Sequence, residues 1–257
     1  LHPIQTETVT YISGRPGGLA GLFYFSSLLL FILGSLKDCK VPRPIFYLIS
    51  LASFFMAVLS KETAITLPAM IIIYDLCFMQ GPDWSSFRSR LKFYLSFPAL
   101  AGAAFLFSPH AFNTIEGFFH KFNYTFGLVQ LDLLKYPLKL FLFPINLNFE
   151  YDFLAQVSWP SLLGSIAIVL LCVFLALKKF YIKNSVLTFC VLWFPLTIAP
   201  TNSFMPRTHL FSERNMYVPS FGLCLFLAVV LFLIGFKNKT RNGIWGTLLI
   251  LFICTTF

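Results

Sequence analysis

The sequence predicts an all-α, polytopic membrane protein with about eight spans plus one interfacial helix. Three observations carry this prediction. Of 257 residues, 58% are apolar and only 11% charged, whereas soluble domains run at about 45–50% apolar and about a quarter charged. The mean hydropathy is +0.79, and 33 residues are phenylalanine. The apolar residues also fall into runs near the roughly 20 residues a helix needs to cross a hydrocarbon core of about 30 Å.

Scanning those runs places spans at 17–36, 44–60, 63–79, 93–108, 161–177, 184–200, 216–235 and 243–257. The first follows a glycine-rich stretch, with Gly14, Gly17, Gly18 and Gly21 allowing tight turns and close backbone approach, and Pro16 suited to a helix start. The second and third are separated only by Lys61 and Glu62, which implies a tight helical hairpin. The third carries Asp75 near one end, where an interhelical tie is the expected role. Between the fourth and fifth lies 129–146, VQLDLLKYPLKLFLFPIN. It holds Asp132, Lys135, Pro137, Lys139 and Pro144 among leucines and phenylalanines, which fits a helix lying along the outer leaflet better than a ninth crossing. The last run is still apolar where the chain stops at Phe257.

The connections sort by charge. Loops 37–43, 80–92, 178–183 and 236–242 each hold three basic residues, 12 of the 19 in the chain. All four share one side if the spans alternate, and the positive-inside rule makes that side cytoplasmic. Segments 1–16, 61–62, 109–160 and 201–215 then face outward with seven basic and seven acidic residues. The net charge of +9 therefore reports topology. No extended basic face or base-stacking platform points to nucleic acid. The six cysteines have no ligand spacing and read as small hydrophobes, and no histidine pattern indicates a metal site. Residue 1 is Leu, and no charged n-region precedes a signal-like apolar stretch. The expectation is a partial domain over 1–257, with a first span and any C-terminal domain lying outside it.

Polar groups on the outer side are more than topology requires. The first loop supplies His2, Glu7 and Arg15 just before a helix. Lys61 and Glu62 stand between two apolar runs with almost no loop to carry them into water, and charges at such depth tend to face a bundle interior or a water-filled cavity. The alternative is local: Ser60 caps the next helix and Glu62 sits in its first turn, favoured by the dipole. The loop TNSFMPRTHLFSERNMYVPSFG brings Arg207, His209, Glu213, Arg214 and Tyr217 to the start of a span. Arginine's planar fork suits phosphate, with Glu213 expected to orient Arg214 and Tyr217 to anchor the interface. A single interfacial arginine can equally be a snorkelling anchor. The stretch FPINLNFEYD adds Glu150 and Asp152 on the same side, and Asn123-Tyr124-Thr125 is a glycosylation sequon there.

In order, HPIQTETVTYISGR, SKETAITLPAMIIIYDL, YPLKLFLFPINLNFEYDF and IAPTNSFMPRTHLFSERNMYVPSFG resemble the membrane domain of the transmembrane and tetratricopeptide-repeat O-mannosyltransferases and their bacterial relatives. These motifs span most of residues 1–222, and four in register are more specific than any one alone. The resemblance implies a C-superfamily glycosyltransferase, a helical-bundle membrane enzyme using a polyprenyl-phosphate sugar on the non-cytoplasmic side. In eukaryotic members the donor is dolichyl-phosphate mannose and the acceptor a Ser or Thr hydroxyl. Members commonly carry one further span followed by an acidic loop, and continue into tetratricopeptide repeats. Gln5 stands where the family's motif has a second histidine. The resemblance carries over His2, Glu7 and Arg15 from the first motif, Lys61 and Glu62 from the second, and Glu213, Arg214 and Tyr217 from the last.

The leading expectation is sugar transfer from a polyprenyl- or dolichyl-phosphate donor to a protein hydroxyl or other acceptor. Glu7 and His2 are the catalytic candidates, with Glu7 as base or base-orienting residue. Arg15, Lys61, Glu62, Arg207, Glu213, Arg214 and Tyr217 are the substrate-binding candidates, the cations stabilising the departing phosphate. The expected partners are membrane lipid, lipid-linked sugar and a protein acceptor, with no cofactor or metal assigned. The expected location is a bacterial inner membrane or the endoplasmic reticulum membrane. A transporter or flippase of lipid-linked material would show inverted repeats and midplane charge, and a non-catalytic scaffold would need no converging charges; both stay open.

Overall fold

The computed structural model describes residues 2–36, 42–79, 84–106, 124–145, 147–148, 151, 159–178, 185–202 and 211–237. Every long element among them is a helix. In chain order these are α1 (Thr6–Thr10), α2 (Arg15–Ser35), α3 (Arg43–Ser60), α4 (Leu67–Tyr74), α5 (Trp84–Leu106), α6 (Tyr124–Asp132), α7 (Lys135–Leu142), α8 (Trp159–Lys178), α9 (Ser185–Ile198) and α10 (Tyr217–Lys237). Short 3-10 turns precede α1, α2, α4 and α10, and a wider π-type turn, Asp75–Met79, extends α4. Among the described residues, four helical runs are long and apolar enough to cross a membrane: Ile12–Ser35, Arg43–Ser60, Glu62–Met79 and Glu213–Leu233. The chain is thus a multi-pass, all-α integral membrane protein. The eighth expected span, 243–257, lies outside the described residues.

The chain divides into two compact units, Arg15–Phe122 and a second made of Leu1–Gly14 with Asn123–Phe257. In the first, α2 packs closely along α3, because one face of α2 presents small residues. A Cβ on Gly34 would come within 2.8 Å of the Phe46 Cβ. Deeper in the pair, Ser27 Oγ donates to the Ser50 carbonyl at 2.7 Å and Ser50 Oγ donates to that of Ser27 at 2.8 Å. Asp75 is fully buried, pairs with Arg90 at 2.8 Å and accepts the Tyr94 hydroxyl at 2.7 Å. That is the expected interhelical tie.

Three local expectations for this unit are corrected. Arg43 opens α3, and Arg88, Arg90 and Lys92 lie on the first turns of α5, where a loop was expected. Ser60 does not cap the next helix; its hydroxyl bonds back to the Met56 carbonyl at 2.7 Å, and Lys61 takes the cap position without a side-chain capping bond. The hairpin itself stands, with Lys61 extended and Glu62 opening the 3-10 turn Glu62–Thr66.

In the other unit, α9 and α10 pack through Trp193 and Gly222. A Cβ on Gly222 would meet the Trp193 ring at 2.6 Å, and the indole N–H donates to the Val218 carbonyl at 2.8 Å. The segment 129–146 is not one interfacial helix. It forms α6 and α7, separated by a turn at Leu133–Leu134. Pro137 explains the break, since it has no N–H for the Leu133 carbonyl and its ring would crowd that group. The Tyr136 N–H takes the Leu133 carbonyl instead at 2.9 Å, and Lys135 pairs with Asp132 across the turn at 3.1 Å. A core of Ile4, Leu134, Leu140, Phe194, Ile198, Phe211 and Met216 packs the N-terminal segment against α7, α9 and the start of α10.

Candidate functional site

The N-terminal segment is fixed by polar side chains at positions 2, 5 and 7. His2 opens the 3-10 turn Pro3–Gln5, its Nδ1 accepting from the Ile4 N–H at 3.3 Å. Nδ1 is therefore the unprotonated nitrogen, and Nε2–H donates to the Phe141 carbonyl at 2.8 Å. The imidazole also stacks on the Phe141 ring at 4.7 Å. Desolvation holds His2 below the ordinary histidine range. Gln5 Nε2 donates to Ser220 Oγ in the first turn of α10. Ile4, fully buried between these attachments, supplies the apolar anchor.

Glu7 follows in the first turn of α1 and is 8% exposed. Gly14 lets the chain close onto this short helix, where a Cβ would stand 2.7 Å from the Glu7 carbonyl oxygen and 2.9 Å from the Thr8 Cα. The Glu7 carboxylate meets residues more than 200 positions away. Ser212 Oγ donates to Oε1 at 3.2 Å, and the Arg214 backbone N–H donates to Oε2 at 2.8 Å. Ser212 is the residue before the turn Glu213–Met216, yet its side chain makes no cap bond of its own. Glu7 takes that role from across the unit, placing a carboxylate where the unsatisfied N–H groups at a helix start favour negative charge. The Arg214 side chain is 36% exposed, and its Nε lies 3.9 Å from Glu7 Oε1.

Glu213 does not orient Arg214. It is 4% exposed, and Oε1 accepts the Tyr151 hydroxyl and the Asn148 backbone N–H, the latter at 3.1 Å. The Asn148 N–H also lies 2.9 Å from the Tyr151 oxygen, closing a three-membered polar ring. Burial, and then the bond to Glu213, push the Tyr151 phenol up from its ordinary range, so it remains a donor. Tyr151 and Ser212 were not among the sequence-derived candidates. Both lie inside motifs quoted above, FEYDF and FSERN, and that was the signal available for them.

Among the predicted site residues, Glu7 and Arg214 meet directly, and His2 is fixed on the same segment. Tyr217 opens α10, where its carbonyl accepts Ser220 Oγ at 3.0 Å. Arg15, which opens α2, and the Lys61–Glu62 hairpin belong to the other unit. Arg207 and His209 lie outside the described residues, as do Glu150, Asp152 and Asn123. Among the described residues, no group of three or more His, Cys, Asp or Glu side chains is arranged to hold a metal ion.

Fold and site together describe a multi-pass helical membrane protein whose N-terminal segment is clamped onto the start of a long apolar helix. The chain is 26% identical over its whole length to a protein O-mannosyl-transferase of Caenorhabditis elegans, covering 37% of that protein. It is 23% identical over 95% of its length to the human protein O-mannosyl-transferase TMTC1, covering 36% of it. It is thus a distant homologue of O-mannosyltransferases, in keeping with a C-superfamily-like membrane domain, and spans just over a third of the length of these curated relatives. No family model matches the chain. No solved structure matches it.

Proposed function

We propose that this chain is part of a membrane glycosyltransferase that moves a sugar from a polyprenyl- or dolichyl-phosphate carrier to a hydroxyl on the non-cytoplasmic face. O-mannosylation of a protein acceptor is the form its relatives' names favour. The observation that carries the reading is the Glu7–Arg214 clamp, which fixes the turn bearing a partly exposed guanidinium at the start of a long apolar helix. A cation there suits a lipid phosphate, whose negative charge grows as the glycosyl bond breaks. Glu7 then serves as a positioning residue, because both its oxygens already accept bonds from Ser212 and Arg214. His2, with both ring nitrogens engaged, fixes the segment that carries Glu7. The family resemblance puts the principal acid in the loop after a preceding span. Arg15, Lys61 and Arg207 are further phosphate candidates in this reading, Glu62 a partner for such a cation, and Tyr217 an interfacial anchor.

The test is transfer from purified polyprenyl-phosphate sugar by the full-length protein at matched folded concentration. Arg214→Ala should lose about ten- to a hundredfold in rate, as expected for about 1.5–3 kcal/mol from one charged hydrogen-bond partner. Arg214→Lys should retain part of the activity, keeping the charge but not the fork. Donor binding and turnover at wild-type levels in Arg214→Ala would rule out the phosphate role.

A further inference from the structure

Within the unit Arg15–Phe122, three of the membrane-length runs reach one rim, and the charge there is one-sided. α3 and α5 lie side by side and run in the same direction: Tyr47 meets Phe93 at 4.6 Å between ring centroids, and Phe54 meets Phe97 at 4.9 Å. Phe31 of α2 stacks on Phe93 at 5.6 Å, and Ser35, where the first run ends, lies 3.2 Å from the Tyr47 hydroxyl. Arg43 opens α3 and the second run, so it stands about 6 Å beyond Tyr47 along the helix. Arg88 stands about 7.5 Å beyond Phe93 on α5, at the same level. Met79, the end of the third run, accepts from Arg90 Nη1 there at 3.5 Å. Arg43 and Arg88 are thus neighbours at a membrane boundary, on packed helices whose axes lie about 8–10 Å apart.

Arg43, Arg88 and Lys92 are exposed, and none forms an ion pair with another described residue. Arg90 differs, because it turns inward and is neutralised by Asp75. In sequence the adjoining segments 37–41 and 80–83 add Lys37 and Lys40 against Asp38 and Asp83, which leaves the positive excess unchanged. Helix stability does not account for these cations. Arg43 is the first residue of α3, where the dipole disfavours positive charge, and Arg88 and Lys92 repel each other one turn apart on α5. Cations gathered against their local preferences at headgroup depth are offset by an anion from outside the chain, and the phosphates of the bilayer lie at that depth.

We propose that Arg43, Arg88 and Lys92 form a binding surface for the headgroup of an anionic phospholipid. The guanidinium forks take the phosphate oxygens, and Lys92 adds to the attracting field. The surface lies at the opposite end of α3 from the Lys61–Glu62 hairpin, so it is separate from the phosphate candidate placed there. It does not depend on the glycosyltransferase reading.

The experiment uses the full-length protein in detergent, given equimolar phosphatidylglycerol and phosphatidylcholine, with the bound lipid read by native mass spectrometry. Wild-type protein should retain phosphatidylglycerol in preference to phosphatidylcholine. Arg43→Gln, Arg88→Gln and Lys92→Gln should each reduce that preference about fivefold, the size expected for one basic residue at an anionic surface. The triple variant should lose more than any single one. Removing the same charge from another basic loop, as Lys178→Gln with Lys179→Gln and Lys183→Gln, should leave the preference in place. Glycerophosphoglycerol, the same headgroup without acyl chains, should not displace the lipid at equal concentration. Absence of a preference in the wild-type protein, or its retention in the folded triple variant, would overturn the proposal. So would an equal loss in the control variant, which would make net charge the cause, or displacement by glycerophosphoglycerol, which would assign the surface to a soluble phosphate. Melting temperature in phosphatidylcholine alone shows which variants are folded; if the triple variant is not, the three single variants decide.

Discussion

Removing the Glu7 carboxylate should open the N-terminal segment from the start of α10 before it does anything else. Glu7→Ala takes away three partners together. The Arg214 N–H, part-buried at the start of its turn, loses an acceptor at 2.8 Å. Leaving such a donor unpaired costs about 1–3 kcal/mol. The Ser212 hydroxyl, at 3.2 Å, can rotate toward another acceptor and adds little. The Arg214 guanidinium is 36% exposed and 3.9 Å from the carboxylate, so solvent screening reduces that pair to about 0.2–1 kcal/mol. The total is on the order of 2–3 kcal/mol, or roughly 30- to 150-fold in the local opening equilibrium. Glu7→Gln keeps one acceptor oxygen without its charge and should cost about 1 kcal/mol.

Hydrogen exchange of the full-length protein in nanodiscs measures this directly. Amides of the turn Glu213–Met216 should lose protection in the order alanine, glutamine, wild type, while amides deep in α9 stay unchanged. Activity should follow the same graded order if Glu7 positions Arg214; a base would show an abrupt loss at Glu7→Gln. Wild-type protection of the Arg214 amide in Glu7→Ala would refute the clamp, and with it the argument that Glu7 controls where the guanidinium sits.

Other expectations follow from the same geometry. Gly14→Ala should mimic Glu7→Ala in the exchange experiment, because the new Cβ would press on backbone at 2.7 Å; Gly18→Ala, whose Cβ would meet nothing within 4 Å, should be neutral or stabilise α2 by about 0.5–1 kcal/mol. His2 is held neutral by burial, so the bond its Nδ1 accepts from the Ile4 N–H should be at full strength above the ordinary histidine pKa of about 6.5 and be lost as pH falls through its lowered folded value, when Nδ1 takes up a proton. Protection of the Ile4 amide that stays constant down to pH 5 would count against this. Asp75→Asn, which leaves Arg90 without its buried counter-charge, should lower the melting temperature by an amount corresponding to about 3 kcal/mol, and Asp75→Asn with Arg90→Met should recover part of it.

Much of the helical plan can be read from the sequence, because a span is set by the length of an apolar run and needs no knowledge of its neighbours. Asp75 as an interhelical tie was legible for the same reason, since a lone acid in such a run must find a partner nearby. The break at Leu133–Leu134 was also written in the sequence, as Pro137, but reading 129–146 by its amphipathic composition gave that proline too little weight. The basic residues of α5 were assigned to a loop because charge marks where a span ends, whereas a helix can run on past the membrane boundary and use Arg90 to reach Asp75.

The candidate site was harder to read, and Glu213 shows why. Its place beside Arg214 makes it the obvious carboxylate for that guanidinium. Yet consecutive residues in a 3-10 turn, at about three residues per turn, point roughly 120° apart and do not face each other. Glu213 and Arg214 therefore diverge as soon as the chain coils: one turns in to Tyr151 and Asn148, while the other meets Glu7. Those partners are separated from their targets by 62 to 207 positions, a distance that no local pattern encodes. The quoted motifs HPIQTETVTYISGR, YPLKLFLFPINLNFEYDF and IAPTNSFMPRTHLFSERNMYVPSFG together supply the clustered groups, and the fold decides which acid belongs to which partner. A charge pair inferred from adjacency is therefore weakest where the chain is most tightly wound, at the turn that starts a helix.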